Sequence, residues 1–98
     1  MRMKQLAEIR HALAEHSEQL RALHVANLWL FGSAARGEPS AKDLDFLVEY
    51  TESPSLVEFA ELKFLLEKLF QVEIDLVSRR GCRERFLQVI QDDLQHVA

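Results

Sequence analysis

The chain lacks several features that mark particular protein classes. It has one cysteine, Cys82, so no disulfide can form within the chain and a reducing, cytoplasmic setting fits. No apolar run approaches the roughly 20 residues that span a bilayer. The first residues also lack the apolar core of about 7–15 residues that a signal peptide needs. We therefore expect a cytoplasmic protein with no membrane contact.

Positive charge and metal-binding histidine patterns are also scarce. The net charge of −4 argues against a broad basic surface and against direct binding of nucleic acid. The four histidines (His11, His16, His24 and His96) lack metal-ligand spacing, so we interpret them as surface or helix-face residues. With 98 residues, of which 48% are hydrophobic, the chain is predicted to form one domain over residues 1–98 with a modest core.

Hydrophobic periodicity predicts helices that alternate with strands. Helical spacing and a capping-box pattern at Ser55 predict three helices, over about 4–23, 55–69 and 82–97. Shorter apolar runs predict three strands, at 27–31, 43–49 and 72–77, with a helical turn over 33–37. We therefore expect a small α/β domain in which helices flank a three-stranded mixed sheet. The order of the strands is left open.

Three aspartates stand out against this apolar background. Asp43 and Asp45 are separated by one residue at the start of the second strand, so they share a face about 6–7 Å apart. Their negative charges repel each other, and a divalent cation such as Mg²⁺ relieves that repulsion. Asp75 lies at mid-strand among apolar residues, where burying an unpaired carboxylate is costly. If the second and third strands are neighbours, Asp75 can join the site and orient or deprotonate a hydroxyl group.

A glycine–serine corner supplies a second candidate element. The first predicted strand ends at Gly32-Ser33, just before a helical turn. Backbone N–H groups at such a turn favour an anion, and glycine allows a phosphate to come close. The Ser33 hydroxyl can donate a further hydrogen bond. Arg36, in the same turn, either approaches a phosphate or lies in solvent, and the sequence leaves both readings open.

The arrangement of these residues resembles a known family signature. Gly32-Ser33, a spacer of nine residues and then Asp43-Leu44-Asp45 are similar to the motif of the polymerase-beta-like nucleotidyltransferase superfamily. Within that superfamily the chain most resembles the minimal nucleotidyltransferases (MNT proteins) of prokaryotes. The spacer is one residue shorter than is usual there. Ala34 also stands where many members have arginine, and Lys42 where serine is frequent.

The resemblance implies a function and a role for each matching residue. Gly32 and Ser33 correspond to the phosphate-binding pair, Asp43 and Asp45 to the metal-binding pair, and Asp75 to the third carboxylate. Members of the family use Mg²⁺, here two ions, and a nucleoside triphosphate, usually ATP. Small members commonly act as antitoxins beside a HEPN-domain toxin and can transfer AMP to a tyrosine hydroxyl of that partner.

Two other functions are compatible with the same residues. The chain could neutralise its partner by covering it, with little or no catalysis. It could also modify an antibiotic, although enzymes of that kind usually need more chain to hold the drug. The sequence leaves the nucleotide base and the oligomeric state open, a homodimer included.

Overall fold

The computed structural model describes residues 6–38 and 41–98, so residues 4–5 of the predicted first helix and residues 39–40 of the loop before Asp43 lie outside it. The helices of the described ranges are α1 (Leu6–Glu15), α2 (Ser17–Ala22), α3 (Gly32–Ala35), α4 (Leu56–Phe70) and α5 (Glu84–Ile90). The strands are β1 (Val25–Phe31), β2 (Leu44–Tyr50), β3 (Ile74–Ser78) and β4 (Gln95–His96). No helix in these ranges has the length and apolar character needed to cross a membrane.

The strands form one mixed sheet in the order β3–β2–β1–β4. Strand β1 runs antiparallel to both of its neighbours, β2 and β4, whereas β2 and β3 are parallel. The parallel pair is connected through α4, because a parallel pair needs a crossover and cannot be joined by a tight turn. The predicted α/β class with a mixed sheet is therefore confirmed. The second and third strands are neighbours, as a site containing Asp75 requires.

The two faces of the sheet carry cores of different size. Helices α1, α2 and α4 cover one face and form the larger core, which includes Phe46. Helix α5 covers the other face, where Phe31, Leu47 and Ile90 form a smaller cluster. Alternate residues of a strand share a face, so Asp45 lies on the side of Leu47 and of this smaller core. The Asp45 carboxylate thus lies on the face of the sheet that has the smaller hydrophobic core.

The prediction of one long helix at the N-terminus is wrong. Two helices, α1 and α2, are separated at His16, whose backbone angles (φ −113°, ψ 23°) are not helical. The His16 ring nitrogen Nδ1 donates to the carbonyl oxygen of Ala12 at 2.9 Å, while the His16 backbone N–H donates to Leu13. The imidazole therefore takes the carbonyl that a continuing α-helix would use. Ile9 and Leu20 are nevertheless buried, as the apolar stripe predicts.

The helix predicted over 82–97 is wrong in its second half. Helix α5 ends at Ile90, a 3₁₀ turn covers Gln91–Asp93, and β4 follows. The two aspartates of that turn oppose the negative C-terminal end of the helix dipole. The open edge of β1 offers hydrogen bonds instead, and the Val97 N–H donates to the Leu28 carbonyl oxygen at 2.9 Å. The sheet consequently has four strands, not the predicted three.

Helix α4 begins as the capping box predicts. The Glu58 N–H donates to the Ser55 hydroxyl at 3.1 Å, and the Ser55 N–H donates to Glu58 Oε1 at 3.0 Å. This reciprocal pair satisfies two backbone donors that the first turn of a helix leaves free. The inward face of α4 carries Leu62, Leu66 and Phe70, all of which are buried. The direction of this helix past the edge strand β3 is therefore set by its cap and by its core residues.

Tyr50, the last residue of β2, places a polar atom in the core. Its hydroxyl is buried and has no hydrogen-bond partner in the described part of the chain, and burial raises its pKa to about 12. A buried hydroxyl without a partner loses its bonds to water and gains none. We expect Tyr50→Phe to raise the free energy of unfolding by about 1 kcal/mol, measured by urea denaturation. A loss of similar size would show that the hydroxyl has a partner.

Candidate active site

Gly32 forms the corner at which β1 becomes α3. Its φ of +77° lies in the left-handed region that residues with a side chain rarely adopt. A Cβ atom at this position would lie 2.3 Å from Asp45 Oδ2, closer than any real contact. The backbone of Gly32 therefore approaches the Asp45 carboxylate as closely as it does because there is no side chain between them. This is a physical requirement for glycine that the sequence pattern did not reveal.

Strand register places the acids in one row. Asp45 pairs with Phe31 on β1 and with Asp75 on β3. Paired residues of neighbouring strands point to the same face of a sheet, so Asp45 and Asp75 lie side by side. Asp43 precedes β2 and lines the same pocket as the other two carboxylates. The structure thus brings the three predicted aspartates together, with Asp45 at the centre beside Gly32.

The expected burial of Asp75 is wrong. Asp75 is exposed, and it is the second residue of β3, not a mid-strand residue. Its neighbours Ile74 and Leu76 are buried because they point to the opposite face. The cost of burying a charge consequently falls on Asp45, which is half-buried. Asp75 lines the pocket from an exposed position, so solvent and an incoming group can reach it.

The carboxylates surround a pocket of about 330 Å³. Its lining side chains are Asp43, Asp45, Lys63, Glu73, Ile74 and Asp75. The sequence analysis identified neither Lys63 nor Glu73 as a site residue. Glu73 shares a strand face with Asp75, so the alternation of β3 indicates a charge near the site, but the sequence offered no reason to assign it there. Lys63 lies on α4, where a lysine beside an inward-facing leucine is typical of a solvated helix surface, so periodicity gave no signal for it.

The donor set of this pocket fits a hard divalent cation. Carboxylate oxygens are the ligands that Mg²⁺ prefers, and the ion usually takes one or two of them together with phosphate oxygens and water. Across residues 6–38 and 41–98, no three His, Cys, Asp or Glu side chains are arranged to hold a metal ion by themselves.

Electrostatic strain in the pocket is concentrated on Asp45. Burial is the largest cause that raises the pKa of Asp45 above its ordinary value of 3.8. The negative charge of Asp75 and then that of Asp43 raise this pKa further, while Arg36 lowers it. All three neighbours act through charge, and a cation placed among the acids would favour the ionised form of Asp45 and lower its pKa. The site therefore favours the binding of positive charge.

Arg36 is engaged by acidic side chains and is not free in solvent. Its Nε donates to Glu38 Oε2 and its Nη1 to Asp93 Oδ2, each at 2.6 Å. These ion pairs connect the end of α3 to the turn after α5. Ser33 follows Gly32 in α3, so the predicted phosphate-binding pair lies next to Asp45. The roles of Gly32, Ser33 and Arg36 toward a nucleotide remain predictions.

The two glycines with positive φ provide a matched test of the Gly32–Asp45 contact. Gly37 has a φ of +74°, but among the described residues other than its chain neighbours no atom lies within 4 Å of the point that a Cβ would occupy. We therefore expect Gly37→Ala to cost backbone strain alone, about 1–2 kcal/mol. Gly32→Ala adds a collision with Asp45, and we expect it to lower the free energy of unfolding by at least about 1 kcal/mol more. Chemical denaturation of both variants measures the difference.

A double variant assigns that difference to the contact. In an Asp45→Ala background the obstructing carboxylate is gone, so Gly32→Ala and Gly37→Ala should cost the same. An excess cost of Gly32→Ala that persists without the Asp45 carboxylate would contradict the proposed contact.

The raised pKa of Asp45 predicts a gain in stability when its charge is removed. The folded state binds this proton more tightly than the unfolded state, so the contribution of Asp45 to stability falls as pH rises through the raised pKa. Asp45→Asn should therefore raise the melting temperature at pH 7, and the gain should vanish below the ordinary carboxyl pKa. Glu61→Gln, at an exposed position of α4 outside the pocket, is the control. Equal effects of the two substitutions at pH 7 would contradict the prediction.

Comparison with known proteins agrees with this geometry. The model of the nucleotidyltransferase domain family matches residues 13–96. A relative from Thermococcus cleftensis, named protein adenylyltransferase MntA, is 34% identical over 99 residues. The alignment covers 99% of this chain and 100% of that relative. The two proteins therefore correspond over their whole compared length.

Solved structures show the same fold. One, provisionally described as a minimal nucleotidyltransferase, superposes with a TM-score of 0.77 at 31% identity and covers 94% of this chain and 95% of its own. The MNT antitoxin fold also recurs in a complex with the tri-AMPylated HEPN toxin of Shewanella oneidensis. That match has a TM-score of 0.67 at 18% identity and covers 92% of this chain and 71% of the other. The chain with the Gly32 corner and the row of aspartates belongs to the nucleotidyltransferase domain family, as a minimal nucleotidyltransferase.

Proposed function

We propose that this chain transfers AMP from ATP to a tyrosine hydroxyl of a HEPN-type toxin, in a Mg²⁺-dependent reaction, and so acts as an antitoxin. The observation that carries the proposal is the contact of the Gly32 backbone with Asp45, the central acid of the row. Because of this contact, the Gly32-Ser33 corner, which suits a phosphate, lies directly beside the carboxylates, which suit a cation. Membership of the family supplies the reaction class.

Each predicted site residue has a place in this proposal. Gly32 and Ser33 bind the outer phosphates through backbone N–H groups and the serine hydroxyl. Asp43, Asp45 and Asp75 supply the carboxylates for up to two Mg²⁺ ions, which when bound withdraw charge from the phosphates. A Mg²⁺ ion held there would also take phosphate oxygens and water as ligands.

Arg36 keeps hydrogen-bond donors that a phosphate can use. Its contacts with Glu38 and Asp93 use two of the five N–H donors of an arginine. A phosphate carries more negative charge than a carboxylate and accepts strong hydrogen bonds from a guanidinium group. We therefore propose that Arg36 contacts a phosphate when the nucleotide is bound.

The transfer step follows from the row of acids. The acceptor oxygen forms a bond to the α-phosphorus, and the bond from that phosphorus to the bridging oxygen of the β-phosphate breaks. Pyrophosphate leaves with the electron pair of the broken bond, and the proton of the acceptor hydroxyl moves to the Asp75 carboxylate. Of the two paired acids of β2 and β3, Asp75 suits this task because it is exposed, whereas Asp45 is half-buried beside Gly32.

A protein acceptor fits the dimensions of the site. The pocket of about 330 Å³ is small and open, so a side chain presented by a second protein can enter while the rest of that protein stays outside. The name of the relative from Thermococcus cleftensis and the AMPylated toxin in the Shewanella complex both support a protein acceptor. We place the reaction in the cytoplasm, where ATP and Mg²⁺ are available.

A labelling assay tests the proposal. The chain is incubated with Mg²⁺, α-labelled ATP and the HEPN-type protein proposed as its partner. We expect label on a tyrosine of the partner, lowered about a hundredfold or more by Asp43→Asn or Asp45→Asn, since each substitution weakens the binding of the cation that offsets the negative charge of the phosphoryl group. Chelation of the metal should also abolish labelling, and Glu61→Gln should leave it unchanged.

The same assay separates transfer from simple coverage of the partner. Toxin activity is measured alongside the label. Inhibition of the toxin that survives both aspartate substitutions, without label, would contradict the proposed reaction and favour neutralisation by binding alone.

A further inference from the structure

Lys63 is the one positively charged side chain among the six that line the carboxylate pocket. It lies in the middle of α4, directly after the buried Leu62. Helix α4 packs on the opposite face of the sheet from Asp45, and β3 is the edge strand beside it. Lys63 therefore reaches the acids from the other layer of the fold, past β3, through a long and flexible side chain.

The ammonium group of Lys63 has no fixed partner in the described ranges. The salt bridges found there involve histidines and the arginines Arg36 and Arg79, and none of them includes Lys63. Lys63 thus lines an acidic pocket without an ion-pair partner among the described residues.

The pocket carries an excess of negative charge that the ammonium group of Lys63 can offset. Four carboxylates line it, from Asp43, Asp45, Glu73 and Asp75, and a triphosphate would add several more negative charges. A cation at the acids offsets part of that charge. An ammonium group is a compact point charge on a flexible stem, and it can meet a phosphate oxygen from a side that the sheet residues do not cover.

We propose that Lys63 binds an oxygen of the reacting α-phosphoryl group and positions it between Asp45 and Asp75. The inference rests on the proposed function, because it names a further substrate contact in the same site. The choice of phosphate follows from the layout of the sheet. Gly32 and Ser33 lie at the β1 side of Asp45, where the outer phosphates are assigned, and Lys63 approaches from the β3 side. The α-phosphoryl group lies between the two.

A simpler role would make Lys63 a counter-ion for Glu73 and Asp75. The two roles predict different measurements. A counter-ion contributes to the stability of the nucleotide-free protein, so its loss should lower the melting temperature and leave the affinity for nucleotide unchanged. A phosphoryl contact contributes only when the nucleotide is present, and it should matter for each nucleotide that carries the α-phosphate.

Three variants test the proposal in the full chain. Lys63→Met removes the charge and keeps the length, Lys63→Arg keeps the charge, and Lys68→Met removes an exposed lysine of the same helix that lies outside the pocket. Calorimetry measures the dissociation constants of Mg·ATP and Mg·AMP, the labelling assay gives kcat and KM, and thermal unfolding is followed without nucleotide.

We expect Lys63→Met to lower kcat/KM about ten- to a hundredfold and to weaken both nucleotides, the range for losing a charged hydrogen bond. Lys63→Arg should recover most of the loss, Lys68→Met should match the original chain, and the melting temperature without nucleotide should not change. Unchanged dissociation constants and kcat/KM in Lys63→Met, with or without a change in melting temperature, would overturn the inference alone. Failure of the unsubstituted chain to bind Mg·ATP would overturn the proposed function as well.

Discussion

The close approach of the Gly32 backbone to the Asp45 carboxylate is the constraint on which the site depends. A side chain at residue 32 would collide with that carboxylate, and the φ of +77° excludes most other residues independently. The contact brings the end of β1 against the start of β2 at the point where β3 adds Asp75. Because residue 32 is glycine, the turn that suits phosphate and the row of acids can lie side by side, where β1 ends and β2 begins.

That arrangement works against the stability of the free protein. Burial and two neighbouring charges disfavour the ionised form of Asp45, so the fold must hold the acids in place by other means. The larger core does this from the opposite face, where α1, α2 and α4 cover the sheet and Phe46 is fully buried. The strained residues therefore lie on strands whose other side is well packed, as expected of a site that stores unfavourable charge for a ligand.

The sequence predicted those parts of the structure that depend on local patterns. Alternation along β2 and β3 places Asp45 and Asp75 correctly, and the capping box sets the start of α4. Features that depend on distant contacts were not predictable. The extra strand forms because the free edge of β1 offers hydrogen bonds to Val97, and the break at His16 depends on a side-chain bond to Ala12. Lys63 reaches the acids only because α4 packs beside the edge strand β3, and the helical spacing of apolar residues does not predict this placement.

The two layers of the fold consequently divide the chemistry between them. The sheet supplies negative charge at fixed positions, since strand register leaves Asp45 and Asp75 little freedom. The helices supply positive charge on long side chains: Arg36 from the turn after α3 and Lys63 from α4. Rigid acids can hold a cation at a defined point, and the flexible stem of Lys63 can follow a phosphate whose geometry changes during transfer. A row of acids flanked by positively charged side chains is therefore suited to a substrate that arrives with its own negative charge.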